Sequence, residues 1–289
     1  MSANALSTKN PAAATTVRRV GCVSFLNARP LIEGLEDQPD PVVKFDVPSR
    51  LLADLESGSV DISLCPVIDL QRSHVPLEVV PVGGIGCDGP TLTVRIYSRV
   101  PLRDIKDIYI DTDSHTSIAL MRVLLAELYH IKPRLIDYQA RERVAENRIV
   151  TSPDTMLLIG DKVVTGAPSD GEYPHQMDLG EAWKELTGLP FVFAVWMTRQ
   201  GSSLGDLPAL LDATRRTNST RIEAIVAKHA KRLGWPDDLA QQYLGHWLKY
   251  AIGTRELAAM RLFFSKAKEH GVIEELREMR VRAVTLRDE

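Results

Sequence analysis

The run VRRVGCVS, Val17–Ser24, continuing as FLNARPLIEGLE, Phe25–Glu36, decides how the rest of the chain is read. Val17–Ser24 reads as a buried strand. It gives way to an amide, a guanidinium and a proline within four residues, Asn27 to Pro30, and then to the short helix-like LIEGLE. The same rhythm repeats downstream. VVKFDV (Val42–Val47) is a strand, and PSRLLADLESG (Pro48–Gly58) is a helix capped by Ser49, with Leu51, Leu52 and Leu55 on one face and Gly58 as its stop. VDISLCPV (Val60–Val67) is a third strand, interrupted by Pro66. Strands separated by helices of about ten residues predict a parallel, doubly wound α/β sheet, whose ligands gather at the carboxyl ends of its strands. Asn27 stands at such an end.

Beyond Asp88 the segment DGPTLTVRIYS alternates from Thr91, with Leu92, Val94 and Ile96 on one side and Thr91, Thr93 and Arg95 on the other. Thr93 therefore faces the polar side. DIYID (Asp107–Asp111) is a strand, and TDSHTSIALMRVLLAELYH (Thr112–His130) is an amphipathic helix with hydroxyls clustered at its start. A second αβ series comes next: RLIDY, ARERVAENRI (Ala140–Ile149), DTMLLIGD, GEAWKELTG and PFVFAVWMT. From Leu204 the chain is helical, with breaks at Gly234-Trp235-Pro236, Gly253-Thr254 and Gly271, and VRAVTL (Val281–Leu286) is its one strand-like stretch. The layout is two α/β lobes with a cleft between them. Residues 17–95 and 200–289 form lobe one, residues 96–199 form lobe two, and residues 1–16 are a frayed leader.

Composition limits the partners. A chain of 289 residues, 44% hydrophobic and 25% charged, has ample core for two lobes. Thirty-five basic against 38 acidic residues give a net charge of −3, and no basic run stands out, which disfavours nucleic acid. A small anion is still admissible, because helix N-termini bind anions whatever the total charge. No secretory signal or membrane-spanning run is evident, so a cytoplasmic protein without a membrane partner is expected. Cys22, Cys65 and Cys87 lack CxxC spacing and read as packing residues. The absence of HExxH, GxSxG and GxxxxGK argues against zinc-hydrolase, serine-hydrolase and P-loop chemistry, and no cofactor is called for.

Several polar residues have two readings each. Asn27 is a ligand group or the cap of the turn after it. GGIGCDGP (Gly83–Pro90) lets backbone NH groups approach a ligand, or is a plain turn before the Thr91 strand. Ser114, Thr116 and Ser117 open a helix where an anion or simple capping would each account for them. His115 reads as a solvated loop histidine without a triad partner. Asp161, after Gly160, is catalytic or caps the next element.

Taken together, VSFLNARPL, GCDGPTLTV, DSHTSIAL, LLIGD and LGEAWKELTGLPFVFAVW occur in the order and spacing of the chorismate dehydratase family of the futalosine route to menaquinone. The chain resembles that family from about Val20 to Arg199. The resemblance implies a two-lobed fold like the type II periplasmic binding proteins, with the substrate in the cleft. It implies a lyase that converts chorismate, a small dianion, to 3-[(1-carboxyvinyl)oxy]benzoate without a cofactor or metal. In the family the substrate's own enolpyruvyl carboxylate serves as base, assisted by an Asn, matched by Asn27, and a Ser, at whose place this chain has Thr93. The matched motifs supply the expected substrate contacts Ser24, Cys87, Asp88, Gly89, Ser114, Thr116, Ser117, Gly160 and Asp161, whereas Arg29, at a place where the family has mostly small or apolar residues, contacts a carboxylate or forms a salt bridge at the lobe surface. Two other classes fit the architecture. One is a solute-binding protein without chemistry, and the other is the enzyme of the same pathway that releases 1,4-dihydroxy-6-naphthoate.

Overall fold

The computed structural model describes residues 17–110, 114–138, 153–166, 168, 169 and 171–284. The expected leader and the helix expected over Ala140–Ile149 lie outside these residues. Two sheets organise the described chain. The first contains β1 (Arg19–Cys22), β2 (Val42–Phe45), β3 (Ile62–Pro66), β4 (Leu77–Cys87), β10 (Phe191–Arg199) and β11 (Leu248–Lys249), in the order β11-β4-β10-β3-β1-β2. The second contains β5 (Val94–Ser98), β6 (Asp107–Ile110), β7 (Arg134–Asp137), β8 (Thr155–Ile159) and β9 (His175–Asp178), in the order β7-β6-β8-β5-β9. Each sheet is mixed. β2-β1-β3 and β7-β6-β8 are parallel, as expected, but the strands beyond them run antiparallel. The departure arises at one antiparallel strand inserted in each sheet: β10, which returns from beyond the second sheet, lies between β3 and β4, and β5, the first strand of the second sheet, lies between β8 and β9.

β10, whose apolar run Leu189–Trp196 reads as the strand returning to lobe one, pairs throughout with the first sheet, so the chain goes back before Phe191 rather than near residue 199. Glycine supplies the physical reason for its fit. Gly84 and Gly86 lie within β4 rather than in a turn, and a Cβ on either would come 2.6 Å from the carbonyl oxygen of Ala194 or Phe191. Register shifts between Val192 and Ala194 and between Val195 and Met197 accommodate the close approach.

Local signals hold in part. The helix Pro48–Ser57 ends at Gly58 as expected, but it starts one residue before Ser49, with Val47 in the cap position. The His115–Tyr129 helix buries Leu120, Val123 and Leu124 completely. The helix Leu179–Thr187 brings Trp183 against Phe191 of β10 and Phe263 of the helix Thr254–Glu269, with ring centroids 5.3 and 6.0 Å apart. Edge-to-face pairs of this kind contribute about 1 kcal/mol each beyond area burial. The helical tail thereby packs against both halves of the molecule. Among the described residues its expected strand shows a single bridge, Val281 to Val79, while β11 forms where no strand pattern is visible.

Candidate active site

β1 ends at Cys22, and a 3₁₀ turn, Leu26–Ala28, carries Asn27. Thr93 reaches the same place by a different route. Alternation from Thr91 would put Leu92 in the pleat, yet Leu92 has φ +64° and β5 begins only at Val94. The Thr93 N–H donates to the Thr91 carbonyl at 2.7 Å, closing a γ-turn across Leu92. A bulky residue with positive φ is strained and needs outside support. Asp178 supplies it: the carboxylate accepts from the N–H groups of Thr91 (3.0 Å) and Leu92 (2.8 Å), and also from Gly180 (2.9 Å) and Glu181 (3.1 Å) as the N-cap of the Leu179–Thr187 helix. Gly160, at φ +63°, donates its N–H to the Thr93 carbonyl at 2.8 Å. Thr93 is thus held on both sides by backbone bonds, and its side chain is 2% exposed.

Asn27 and Thr93 line one cavity of about 150 Å³ between the two sheets. Val23, Phe25, Leu64, Ile85 and Phe193 give it an apolar wall from the first sheet. Opposite stand Ser114, Thr116, Ser117, Gly160, Asp161 and Lys162, and the tail closes it with Tyr243 and Leu248. Ser114 occupies the N-cap position of the His115–Tyr129 helix but makes no capping bond; its hydroxyl donates to Ser117 Oγ at 2.7 Å. The helix therefore presents an uncapped N-terminus to the cavity, with the positive end of its dipole. Thr116 Oγ1 accepts from the Ile68 N–H at 3.3 Å across the cleft. Burial alone holds the Lys162 ammonium below the ordinary lysine range, which marks a partly desolvated cation at the cavity wall.

Seven of the expected site residues meet here: Asn27, Thr93, Ser114, Thr116, Ser117, Gly160 and Asp161. Asp161 does not cap the element after it; its Oδ1 accepts from the Trp235 indole at 2.7 Å. The others do not line the cavity. Ser24 is exposed beside it. Arg29 is 5% exposed, ion-paired to Glu36 at 2.8 Å and set over the Phe45 ring at 5.4 Å, so its guanidinium is committed to fastening lobe one. Cys87 is fully buried, its thiol pushed up to about 12 by burial, and it packs where any Cβ on Gly180 would lie 2.5 Å from its sulfur. Asp88 pairs with Lys184 and Arg255, and Gly89, at φ +134°, serves the turn. The GCDGP stretch thus docks one lobe's helix onto the other lobe's strand and delivers Thr93 from behind.

His115 is not a solvated loop residue. It opens the helix, and its Nδ1 lies 2.8 Å from Oδ1 of the fully buried Asp69, a bond across the cleft. Cys22 and Cys65 are buried and free, and burial raises both thiols, Cys22 to about 12, as suits packing residues. Sequence reasoning missed Asp178, although Asp178 with Glu181 three residues later is the signature of a helix start. It also missed Lys162 and Tyr243. No local pattern marks Tyr243, which lies in a helical tail that reads as scaffold.

A family model described as menaquinone biosynthesis matches residues 18–269. Chorismate dehydratase of Thermus thermophilus is 30% identical over 232 residues, covering 75% of this chain and 83% of that protein. Among solved structures, a protein of Archaeoglobus fulgidus superimposes with a TM-score of 0.67 at 14% identity, covering 90% of this chain and all of that one. The periplasmic aliphatic sulphonate binding protein of Escherichia coli gives a TM-score of 0.60 at 18% identity, covering 90% of this chain and 94% of its own. A Candida albicans protein with the generic periplasmic binding protein fold gives 0.65 at 12% identity, covering 93% and 98%. At these identities the structures show the fold: two α/β lobes of the periplasmic-binding-protein kind, as expected from the sequence. No helix among the described residues is long and apolar enough to cross a membrane.

Proposed function

The chain belongs to the menaquinone biosynthesis family, and from that membership we propose that it dehydrates chorismate to 3-[(1-carboxyvinyl)oxy]benzoate. The observation that carries the proposal is the meeting of Asn27 and Thr93, far apart in sequence, in one cavity with an apolar wall on one side and hydroxyls, a helix N-terminus and Lys162 on the other. Chorismate has the matching division, an unsaturated ring and two carboxylates.

The ring lies against Phe25, Phe193 and their apolar neighbours. One carboxylate faces the N-terminus of the His115–Tyr129 helix and Lys162, where NH dipoles and a cation favour negative charge. The enolpyruvyl carboxylate takes the proton from ring C3, the freed electron pair forms the C3–C4 double bond, and the C4 hydroxyl leaves with a proton as water. The product ring is aromatic, so the driving force resides in the substrate. The protein contributes orientation and stabilisation of developing charge, which an amide at Asn27 and a hydroxyl at Thr93 supply without a separate general base.

The test is incubation of the purified protein with chorismate, monitored by ultraviolet absorbance and product mass. Conversion to a benzoate lighter by one water is expected. Binding measured by calorimetry with chorismate left intact would make the protein a solute-binding one instead, and turnover of a cyclised futalosine derivative but not of chorismate would make it the naphthoate-releasing enzyme.

A further inference from the structure

The helical tail reads as scaffold, yet it inserts one phenol into the cavity. The helix Asp237–Gln242 passes into a π-helical turn, Tyr243–Trp247, and such turns re-aim a side chain that a regular helix would direct elsewhere. Tyr243 is 1% exposed, and its ring stacks on Trp235 with centroids 4.8 Å apart and planes at 18°. Trp235 is anchored in turn by its indole bond to Asp161. The ring is therefore fixed by the tail and by lobe two. The hydroxyl lies 2.8 Å from Thr93 Oγ1 in a bond that either oxygen can donate.

The phenol carries a single hydrogen, and when it goes to Thr93 Oγ1 the hydroxyl hydrogen of Thr93 is left for the cavity. Asn27 lines the same cavity, and its Oδ1 is buried with no protein partner. Burial raises the Tyr243 phenol far above its ordinary range, so it keeps that hydrogen at any working pH.

We propose that Tyr243 is a positioning residue: its hydroxyl fixes the Thr93 hydroxyl through their hydrogen bond, so that the Thr93 hydrogen faces the substrate. This rests on the cavity being the dehydratase site. It also gives the Thr at position 93 a role for its β-branch, because the branched side chain needs an external bond to select the rotamer that presents the hydroxyl.

The experiment compares wild type, Tyr243→Phe, Thr93→Val and the double variant. Phe keeps the ring on Trp235, and melting curves verify the fold. In Tyr243→Phe, kcat on chorismate is expected to fall about 10- to 100-fold with KM within about twofold. The same change in the Thr93→Val background should cost little more, because the residue acts through Thr93. A kcat within twofold of wild type, or a full additional loss in the double variant, overturns the proposal. The Thr93 χ1 rotamer, read from methyl couplings by nuclear magnetic resonance, separates this from the activity itself: one rotamer in wild type and averaging in Tyr243→Phe supports positioning, and one rotamer in both overturns it. If wild type leaves chorismate intact, the dehydratase reading fails and the rotamer measurement alone decides the role of Tyr243.

Discussion

The two walls of the cavity come from sheets of similar strand order, each a parallel triplet extended by an antiparallel strand, and yet they differ in chemistry. The first-sheet wall is apolar apart from Asn27, with Phe25, Leu64, Ile85 and Phe193. The second-sheet wall combines hydroxyls, a helix N-terminus, Gly160, Asp161 and Lys162 with the apolar Val94 and Ile159. The difference lies in the element that succeeds each strand. After β1 comes a 3₁₀ turn flanked by buried apolar residues, whereas after β6 comes a long helix whose first turn is Ser-His-Thr-Ser. A flat plate facing a polar comb suits a planar ring with charged substituents better than it suits a fully solvated anion.

The comparison can be broken most directly at Asn27, the polar group of the apolar wall. Asn27→Ala is expected to lower turnover of chorismate by about 10³-fold while leaving the melting temperature within a few degrees; wild-type rates in that variant would reduce Asn27 to a cap. Next in size is the support behind the polar wall. Asp178→Ala leaves the Thr91 and Leu92 N–H groups and a helix start without their acceptor, and about 3 kcal/mol of stability is expected to go, read from the urea midpoint. An unchanged midpoint would mean that the Leu92 turn holds itself.

Lys162→Gln sharpens the comparison further. KM for chorismate is expected to rise about tenfold with kcat nearly constant, because a charge-assisted contact made equally in ground and transition states is lost. An equal fall in kcat would move Lys162 from binding into chemistry. The smallest effect concerns how the tail fastens lobe one. Burial pushes the Glu33 carboxyl up, but hydrogen bonds from Lys228 and His229 outweigh it and hold the carboxyl below its ordinary value of 4.5. A depressed carboxylate adds stability above its unfolded pKa and loses it as pH falls through the folded one. Glu33→Gln is therefore expected to be less stable at neutral pH by below about 1 kcal/mol, with the two melting curves converging in acid; a gap that persists undiminished in strong acid would locate the effect in packing.

Much of the cavity was legible because its signals are local. A strand that ends in Asn27, hydroxyls that open a helix at Ser114, and Gly160-Asp161 after a buried strand are short-range patterns, and short-range patterns survive without knowledge of the partner. Arg29 kept two readings because a charged residue at a strand end looks the same whether it faces a ligand or Glu36, and the structure gives it the salt bridge. Cys87, Asp88 and Gly89 misled because adjacency to Thr93 in sequence is not adjacency in the cavity: the γ-turn at Leu92 separates them. The glycines of β4 looked like a turn because their reason, the carbonyls of Ala194 and Phe191, lies in a distant part of the chain.

From the amino-acid order alone came the α/β class, the two lobes, the apolar and polar periodicities and the family motifs, since each depends on neighbours within a few residues. Tertiary structure alone decided that β5 and β10 run antiparallel inside their sheets, that Asp178 holds a strained turn, and that Tyr243 meets Thr93 across 150 residues of chain. Those contacts exist only after the strands have paired and the tail has packed, and the energy that selects them is spread over surfaces no short window contains.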